Sequence, residues 1–186
     1  TITATAGTND TLNVTSSGAV DTTGVSGIEI SNLNASGNTI TLGANNGTIN
    51  GGAAADTFKV SIANLSSSKT INGAGATDTL QFIDAGTITA TQLTNVTVEN
   101  ITLADGTNTI TVGSKDFTIT GGTGDDTFKY AIADFSSADI ISGGNQSTNG
   151  DTLEFTTSST SIASTLFGTN VSGIENLKLN ASGADT

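Results

Sequence analysis

Residues 121–129 read Gly-Gly-Thr-Gly-Asp-Asp-Thr-Phe-Lys, and this stretch decides the fold of the chain. It fits the nine-residue pattern G-G-x-G-x-D-x-U-x, in which U is a large apolar residue, here Phe128. The glycines allow positive φ and a close approach of the main chain. Asp126 supplies a hard carboxylate oxygen of the kind that calcium prefers. The stretch therefore predicts a glycine turn with a calcium site, followed by a short strand at residues 127–130.

The composition favours an unusual all-β protein. Apolar residues make up 34% of the 186 residues, aromatic residues make up 4%, and there is no proline. We expect a thin core in which small apolar residues stack from one turn of chain to the next. The missing proline favours a solenoid over a β-sandwich, because turns of a sandwich usually contain several prolines. A disordered linker is the alternative, and the regular recurrence of β-branched runs argues against it.

The net charge of −12 comes from 17 acidic residues and five lysines. This charge excludes nucleic-acid binding as a main activity and does not favour anionic membranes. Such a negative charge suits a fold that cations stabilise, and it also helps to keep a protein soluble. The chain has no cysteine and no apolar run of membrane-spanning length, so we predict neither disulfides nor membrane insertion.

A long internal repeat organises the chain. The segments 39–43, 56–59 and 62–67 recur at 109–113, 126–129 and 132–137, each with an offset of 70 positions. We predict one continuous solenoid over residues 1–186, with units at about 7–74 and 75–147 and a partial unit at 148–186. Residues 182–186 resemble residues 6–11, and the chain starts with Thr1 and contains no Met. We therefore expect a segment or processed product of a longer protein.

Short strands separated by glycine or asparagine turns fill each unit, and no stretch has convincing helical periodicity. Residues 61–68 and 131–138 are the nearest candidates, as one helical turn or a loop. The predicted fold is a right-handed parallel β-solenoid, similar to a β-roll or β-helix, built from units of about 70 residues. The alternative is a tandem array of small β-sandwich domains, for which 70 residues is short against the roughly 100 of immunoglobulin-like folds.

Other turns repeat the first one in weaker forms. After the Asp126 turn, the best preserved are those that end at Asp78 and Asp56, while those that end at Asp10 and Asp151 are less complete. The predicted calcium ligands are Gly121, Thr123, Asp125, Asp126, Gly51, Asp56, Gly73, Gly75, Asp78, Asp151 and Asp10. For each Asp the alternative is an Asx-turn, in which the carboxylate binds amides of its own turn.

Three glutamates recur with the same period, at Glu29, Glu99 and Glu175. Each is either an ordinary exposed strand residue or a carboxylate at a corner of the solenoid that meets a metal ion or turn amides. The sequence leaves both interpretations open.

The glycine-aspartate turns resemble the calcium-binding repeats of the repeats-in-toxin (RTX) family, and the segments around Glu29 and Glu175 resemble the G-I-E-N-L segments of bacterial surface-layer proteins. The resemblance implies a parallel β-roll, Ca²⁺ as the bound ion, export by bacteria and an extracellular or cell-surface location. No signal peptide is visible in this chain, so the export that the resemblance implies would not depend on one in this sequence.

Catalysis finds little support in the residues. The chain has no His, Cys or Arg, and Asp125 with Asp126 is the only adjacent pair of acids, whose side chains would point to opposite faces of a strand. We therefore predict no enzyme activity. Threonine pairs such as Thr39 with Thr41 could form the hydroxyl ladder of an ice-binding solenoid, but Thr is also a common exposed strand residue.

The function expected from the sequence is structural. We expect a non-enzymatic segment of an exported bacterial surface protein that assembles with itself, end to end or laterally, into a lattice or filament and is stabilised by calcium. The alternative is a stalk or ligand-binding module of a calcium-dependent adhesin, with cell-surface glycans as ligands. An appended secretion module of an exported enzyme is a third possibility.

Overall fold

The computed structural model of the chain describes residues 2–3, 7, 9–45, 47–145, 147–158 and 162–180. The compared residues 182–186 lie outside this part of the chain. The strands are β1 (Ile2–Thr3), β2 (Thr11–Asn13), β3 (Gly18–Asp21), β4 (Val25–Ser26), β5 (Ile30–Asn32), β6 (Asn38–Leu42), β7 (Thr48–Asn50), β8 (Thr57–Val60), β9 (Thr70–Asn72), β10 (Thr79–Phe82), β11 (Thr87–Ile88), β12 (Val96–Thr97), β13 (Asn100–Thr102), β14 (Thr109–Val112), β15 (Thr118–Thr120), β16 (Thr127–Tyr130), β17 (Ile140–Ser142), β18 (Thr152–Phe155), β19 (Val171–Ser172) and β20 (Asn176–Lys178).

Helical structure among these residues is limited to single turns. They are the α-helical turn α1 (Ala90–Leu93) and the 3₁₀ turns Ile62–Asn64, Ile132–Asp134 and Ser164–Leu166. The first two 3₁₀ turns lie where the sequence predicts one helical turn or a loop. The sequence does not predict α1, because four residues are too few to show helical periodicity.

The chain is an all-β parallel solenoid, which confirms the predicted fold class. It divides into two compact units, one of Thr1–Ile83 with Thr91–Ile101 and one of Asp84–Ala90 with Thr102–Thr186. The tandem β-sandwich is wrong, because the strand pairs in both units are parallel and immunoglobulin-like sandwiches are antiparallel. The right-handed sense of the solenoid and its continuity over the whole chain stay predictions.

In the first unit, successive strands alternate between two sheets. One sheet has the order β3-β6-β8-β10 and the other has the order β2-β5-β7-β9-β12, while β1 pairs with β4. One pass of the chain through both sheets is called a rung below. In the second unit the sheets have the orders β11-β14-β16-β18-β20 and β15-β17-β19.

The core is built from columns of inward side chains, because strands such as β8, β10, β16 and β18 alternate half-buried and buried residues. In the first unit, Phe58 pairs in register with Ile40 on one side and Leu80 on the other. In the second unit, Phe128 is flanked in the same way by Ile110 and Leu153. The expectation of a core of small apolar residues is therefore wrong in detail. The chain has few large side chains, but it places most of them inward.

Aromatic side chains are concentrated in the second unit. The Phe135 ring lies 5.0 Å from Tyr130 and 5.4 Å from Phe155, in edge-to-face geometry at centroid distances typical of favourable aromatic pairs. Phe167 lies 6.2 Å from Phe155 and extends this cluster. In the first unit the position of Phe135 is taken by Leu65, so the repeat preserves the packing site but not the residue.

The repeat of 70 residues is also a repeat of secondary structure. Strands β6, β7, β8 and β9 of the first unit have counterparts β14, β15, β16 and β17, which begin 70 or 71 positions later, and the 3₁₀ turn at Ile62–Asn64 has its counterpart at Ile132–Asp134. The sequence period therefore reports a real structural unit.

Outward threonines form a single column on one sheet of the second unit, where Thr87, Thr109, Thr127 and Thr152 pair in register. The neighbouring outward column contains Lys129, which pairs with Glu154 at 3.4 Å. A column of hydroxyls one residue wide beside a row of charges is the pattern of ordinary exposed strands. The hydroxyl surface of an ice-binding protein is therefore not favoured here.

Candidate functional site

Asp56 lies at the corner before β8, and its side chain is 2% exposed. Its Oδ1 accepts hydrogen bonds from the main-chain N–H of Asn38 at 2.7 Å and from Asn38 Nδ2 at 3.1 Å, one rung earlier. Its Oδ2 accepts the N–H of Gly52 at 2.7 Å, in its own turn. Both oxygens of this carboxylate are therefore engaged by N–H donors.

The same contact continues from rung to rung in the first unit. The N–H of Asp56 donates to Asp78 Oδ1 at 2.7 Å, and the N–H of Asp78 donates to Glu99 Oε2 at 2.7 Å. Each corner residue thus donates its main-chain N–H to the carboxylate of the next rung. We call this column, made of Asn38, Asp56, Asp78 and Glu99, the carboxylate ladder of the first unit.

The second unit contains the same ladder. The N–H groups of Asn108, Asp126 and Asp151 donate to Asp126 Oδ1 at 2.8 Å, Asp151 Oδ1 at 2.7 Å and Glu175 Oε2 at 2.8 Å. One further step of this kind joins the N–H of Asp10 to Glu29 Oε2 at 2.8 Å. The recurring glutamates are therefore corner carboxylates that meet turn amides.

The ladder keeps the strands in register although the rungs differ in length. Successive ladder residues are 18 positions apart from Asn38 to Asp56 and 22 apart from Asp56 to Asp78. They are 25 apart from Asp126 to Asp151. Extra residues are accommodated between the corners, so insertions leave the strand pairing intact.

The glycines of the motif are required by close packing at the same corner. A Cβ atom on Gly121 would lie 1.9 Å from the carbonyl oxygen of Gly143 and 2.6 Å from Asp126 Oδ2. Such distances are far inside van der Waals contact. The spacing of glycine and aspartate in the motif therefore places a carboxylate directly over a Cα atom that carries no side chain.

Asp125 has a different environment from Asp126. Its Oδ1 accepts the N–H groups of Ser147 at 2.9 Å and Thr148 at 3.0 Å, and its Oδ2 accepts that of Asn149 at 3.0 Å. These bonds, that of Asn149 first, hold the pKa of Asp125 far below its usual range. The carboxylate thus anchors residues 147–150, the segment just before Asp151.

The other predicted ligands are engaged through their main chain. The N–H of Thr123 donates to Asp105 Oδ1 at 2.9 Å, and that of Gly75 donates to the Gly52 carbonyl at 3.2 Å. The N–H groups of Gly51 and Gly73 donate to carbonyl oxygens of the following rung. The structure thus brings Asp56 and Asp78 together in one ladder, Asp126 and Asp151 together in another, and leaves Asp10 on a separate step with Glu29.

Two ladder carboxylates are only half engaged. Asp78 and Asp151 are 1% and 0% exposed, and no described residue donates a hydrogen bond to their Oδ2 atoms. Burial raises the pKa of both groups, and neighbouring acids add to this effect. For Asp78 these acids are Glu99 and Asp56.

The donor set does not fit a calcium ion at these turns. Calcium takes six to eight oxygen ligands, whereas the oxygens of Asp56, Asp125 and Asp126 already face N–H donors, which a cation would have to displace. Among the residues that the structure describes, no three acidic side chains lie close enough together to hold a metal ion. Calcium binding by the predicted ligands stays a prediction.

Sequence reasoning missed the two asparagines of the ladders, Asn38 and Asn108. Each is followed by Thr and Ile, just as Asp56 and Asp126 are followed by Thr and Phe. Alignment on the pattern Asn/Asp-Thr-apolar would have found them. The signal was hidden because the turns before these asparagines lack the paired glycines.

A second corner differs between the repeats and was also missed. In the first unit Lys69 is 2% exposed, and its Nζ donates to the carbonyl oxygens of Gly43, at 3.1 Å, and Asn45. Its counterpart 70 positions later is Asp139, which is 0% exposed and accepts the Ser136 N–H at 2.9 Å. The same corner thus holds a cation bound to carbonyls in one repeat and a carboxylate bound to an amide in the other.

Burial at this corner predicts a pH dependence of stability. Burial raises the pKa of Asp139, and the neighbouring Asp116 adds to the rise. A raised folded-state pKa means that the contribution of Asp139 is complete below its unfolded value, near 4, and declines as the pH rises through the folded value. Thermal unfolding from pH 4 to 7 should therefore show a flatter profile for Asp139→Asn than for the parent. Parallel profiles would contradict this assignment.

No model of a known protein family matches the chain, and no curated protein or solved structure matches it either. Among the described residues, no helix is long and apolar enough to cross a membrane.

Proposed function

We propose that the chain is a structural, non-enzymatic segment of an exported bacterial surface protein, which assembles with other copies into a surface lattice or an extracellular filament. The observation that carries this proposal is the open edge of β20 in the second unit. β20 pairs with β18 on one side, and no strand of the described residues pairs with its other side. An unpaired parallel edge is a template for another strand.

Two leucine side chains are exposed at this edge. Leu177 and Leu179 are 54% and 49% exposed. Leu177 lines a cleft of about 180 Å³ together with Phe167, Val171 and Ile174. In the first unit the counterpart of Leu179 is Leu33, which is 8% exposed and lies on a rung covered by β7. The edge of β20 therefore has the chemistry of a surface that another rung covers.

The acidic groups support a structural role. In the adjacent pair, Asp125 anchors a loop and Asp126 belongs to a ladder, so both carboxylates are held by N–H donors. Calcium is proposed only as an added stabiliser that reduces the self-repulsion of the −12 net charge. A calcium titration of the melting temperature tests that part separately.

Replacement of Leu177 and Leu179 by Asp tests the proposal. We expect the parent chain to form particles larger than a monomer by light scattering and electron microscopy, and the double variant to remain monomeric with its circular dichroism unchanged. Ile83→Asp is the matched control, because Ile83 is 53% exposed and belongs to the first unit. Equal assembly of parent and double variant, or a parent that stays monomeric and binds glycans, would refute the lattice proposal.

A further inference from the structure

At the turns that resemble calcium sites, hydrogen bonds between main-chain N–H groups and carboxylates join each rung to the next. In six ladder steps, three in each unit, a main-chain N–H reaches a carboxylate oxygen at 2.7 or 2.8 Å. Hydrogen bonds to ionised acceptors are stronger than those between neutral groups. Each corner amide, which would otherwise be buried without a partner, is satisfied by the next rung.

We infer that the carboxylate ladder takes the place of calcium at the glycine-aspartate turns, so that it fixes the register of the rungs and allows the solenoid to fold without metal. A bridging ion and a ladder carboxylate perform the same task, because each joins the corner of one rung to the corner of the next. They differ in what they require of the neighbouring main chain. An ion needs carbonyl oxygens directed toward it, whereas a carboxylate needs N–H groups, and the N–H groups are what the structure presents.

The two aspartates of the first unit's ladder give opposite predictions for the same substitution. Asp56 accepts N–H groups at both oxygens, from Asn38 and from Gly52. An Asn side chain in its place would direct its NH₂ group at one of these donors. Asp78 accepts one N–H at Oδ1, from Asp56, and no described residue donates to its Oδ2. An Asn side chain there keeps the bond and removes a buried charge.

The chain itself supports this distinction. Asn38 and Asn108 are the first members of the two ladders and are 4% and 0% exposed. An amide side chain is therefore compatible with the corner geometry when no donor opposes its NH₂ group. Asn108 Nδ2, for example, donates to the carbonyl oxygens of Ala104 at 2.8 Å and Gly106 at 2.9 Å.

The test is thermal unfolding of the parent, Asp56→Asn and Asp78→Asn in excess chelator and again with millimolar calcium. We expect the parent to show its full β-sheet circular dichroism in chelator. Asp56→Asn should melt several degrees lower, whereas Asp78→Asn should melt within about 2 °C of the parent or above it. The same contrast is expected between Asp126→Asn and Asp151→Asn in the second unit.

Two results would overturn the inference. One is a parent chain that is unfolded in chelator and folds when calcium is added. The other is a pair of variants with equal losses in melting temperature, which is what a shared role as anionic calcium ligands would produce. Neither result depends on whether the chain assembles, so the inference and the proposed function can fail separately.

Discussion

Asp126→Ala should lower the free energy of unfolding by about 3–5 kcal/mol, because it leaves the buried N–H of Asn108 and the half-buried N–H of Gly122 without their acceptor. The expected loss is larger than that of an ordinary surface aspartate, since the side chain is only 1% exposed. Urea unfolding followed by circular dichroism in the presence of a chelator measures the change.

The matched control for this variant is Asp134→Ala. Asp134 lies in the 3₁₀ turn of the same unit, is half-buried, and its substitution removes the same charge. A change within about 0.5 kcal/mol is expected there, as for most surface substitutions. Equal losses for the two variants would show that the effect arises from net charge and not from the ladder.

Gly121→Ala should destabilise the second unit by at least about 3 kcal/mol, or prevent it from folding. The new methyl group would lie 1.9 Å from the main-chain oxygen of Gly143, which cannot move without disturbing the Gly121 N–H bond to Ser142 at 2.8 Å. Gly113→Ala is the control in the same unit. The nearest atom to its Cβ is the Cβ of Ala90 at 3.8 Å, an ordinary contact.

Melting temperatures and soluble yields of the two glycine variants provide the comparison. Gly113→Ala should be neutral or slightly stabilising, because Ala reduces the conformational entropy of the unfolded chain. A Gly121→Ala variant that retained the melting temperature of the parent would contradict the close approach of neighbouring rungs at this corner.

The sequence predicts much of the fold because its strands are repeated. Strands β8 and β16 begin at Thr57 and Thr127, where alternation and the Asp-Thr-Phe-Lys repeat place them. Two-residue strands such as β11 (Thr87–Ile88) were not predicted, because two residues carry no periodicity. The contribution of aromatic residues to the core was underestimated, because composition alone does not show whether a Phe side chain points inward or outward.

The sequence predicts the position of the candidate site, and the structure adds its hydrogen bonds. The recurrence of Asp56, Asp78 and Asp126 after glycine turns correctly marks the corners of the solenoid. The same glycine-aspartate spacing suits a calcium ion or a hydrogen-bonded ladder, because both bring a carboxylate close to the main chain of a glycine turn. Each ladder carboxylate accepts the main-chain N–H of a residue that lies 18 to 25 positions away. Because this spacing varies, the donor cannot be identified from the sequence until the length of each rung is known.

Hydrogen exchange of the ladder amides, followed by NMR in the presence of a chelator, shows whether the carboxylate ladder forms without calcium. We expect the N–H groups of Asp56, Asp78, Asp126 and Asp151 to be as strongly protected as those in the middle of β8 and β16, because each is buried and bonded to a carboxylate. Exchange of these four amides at the rate of an unstructured chain, with protection only after calcium is added, would contradict this expectation.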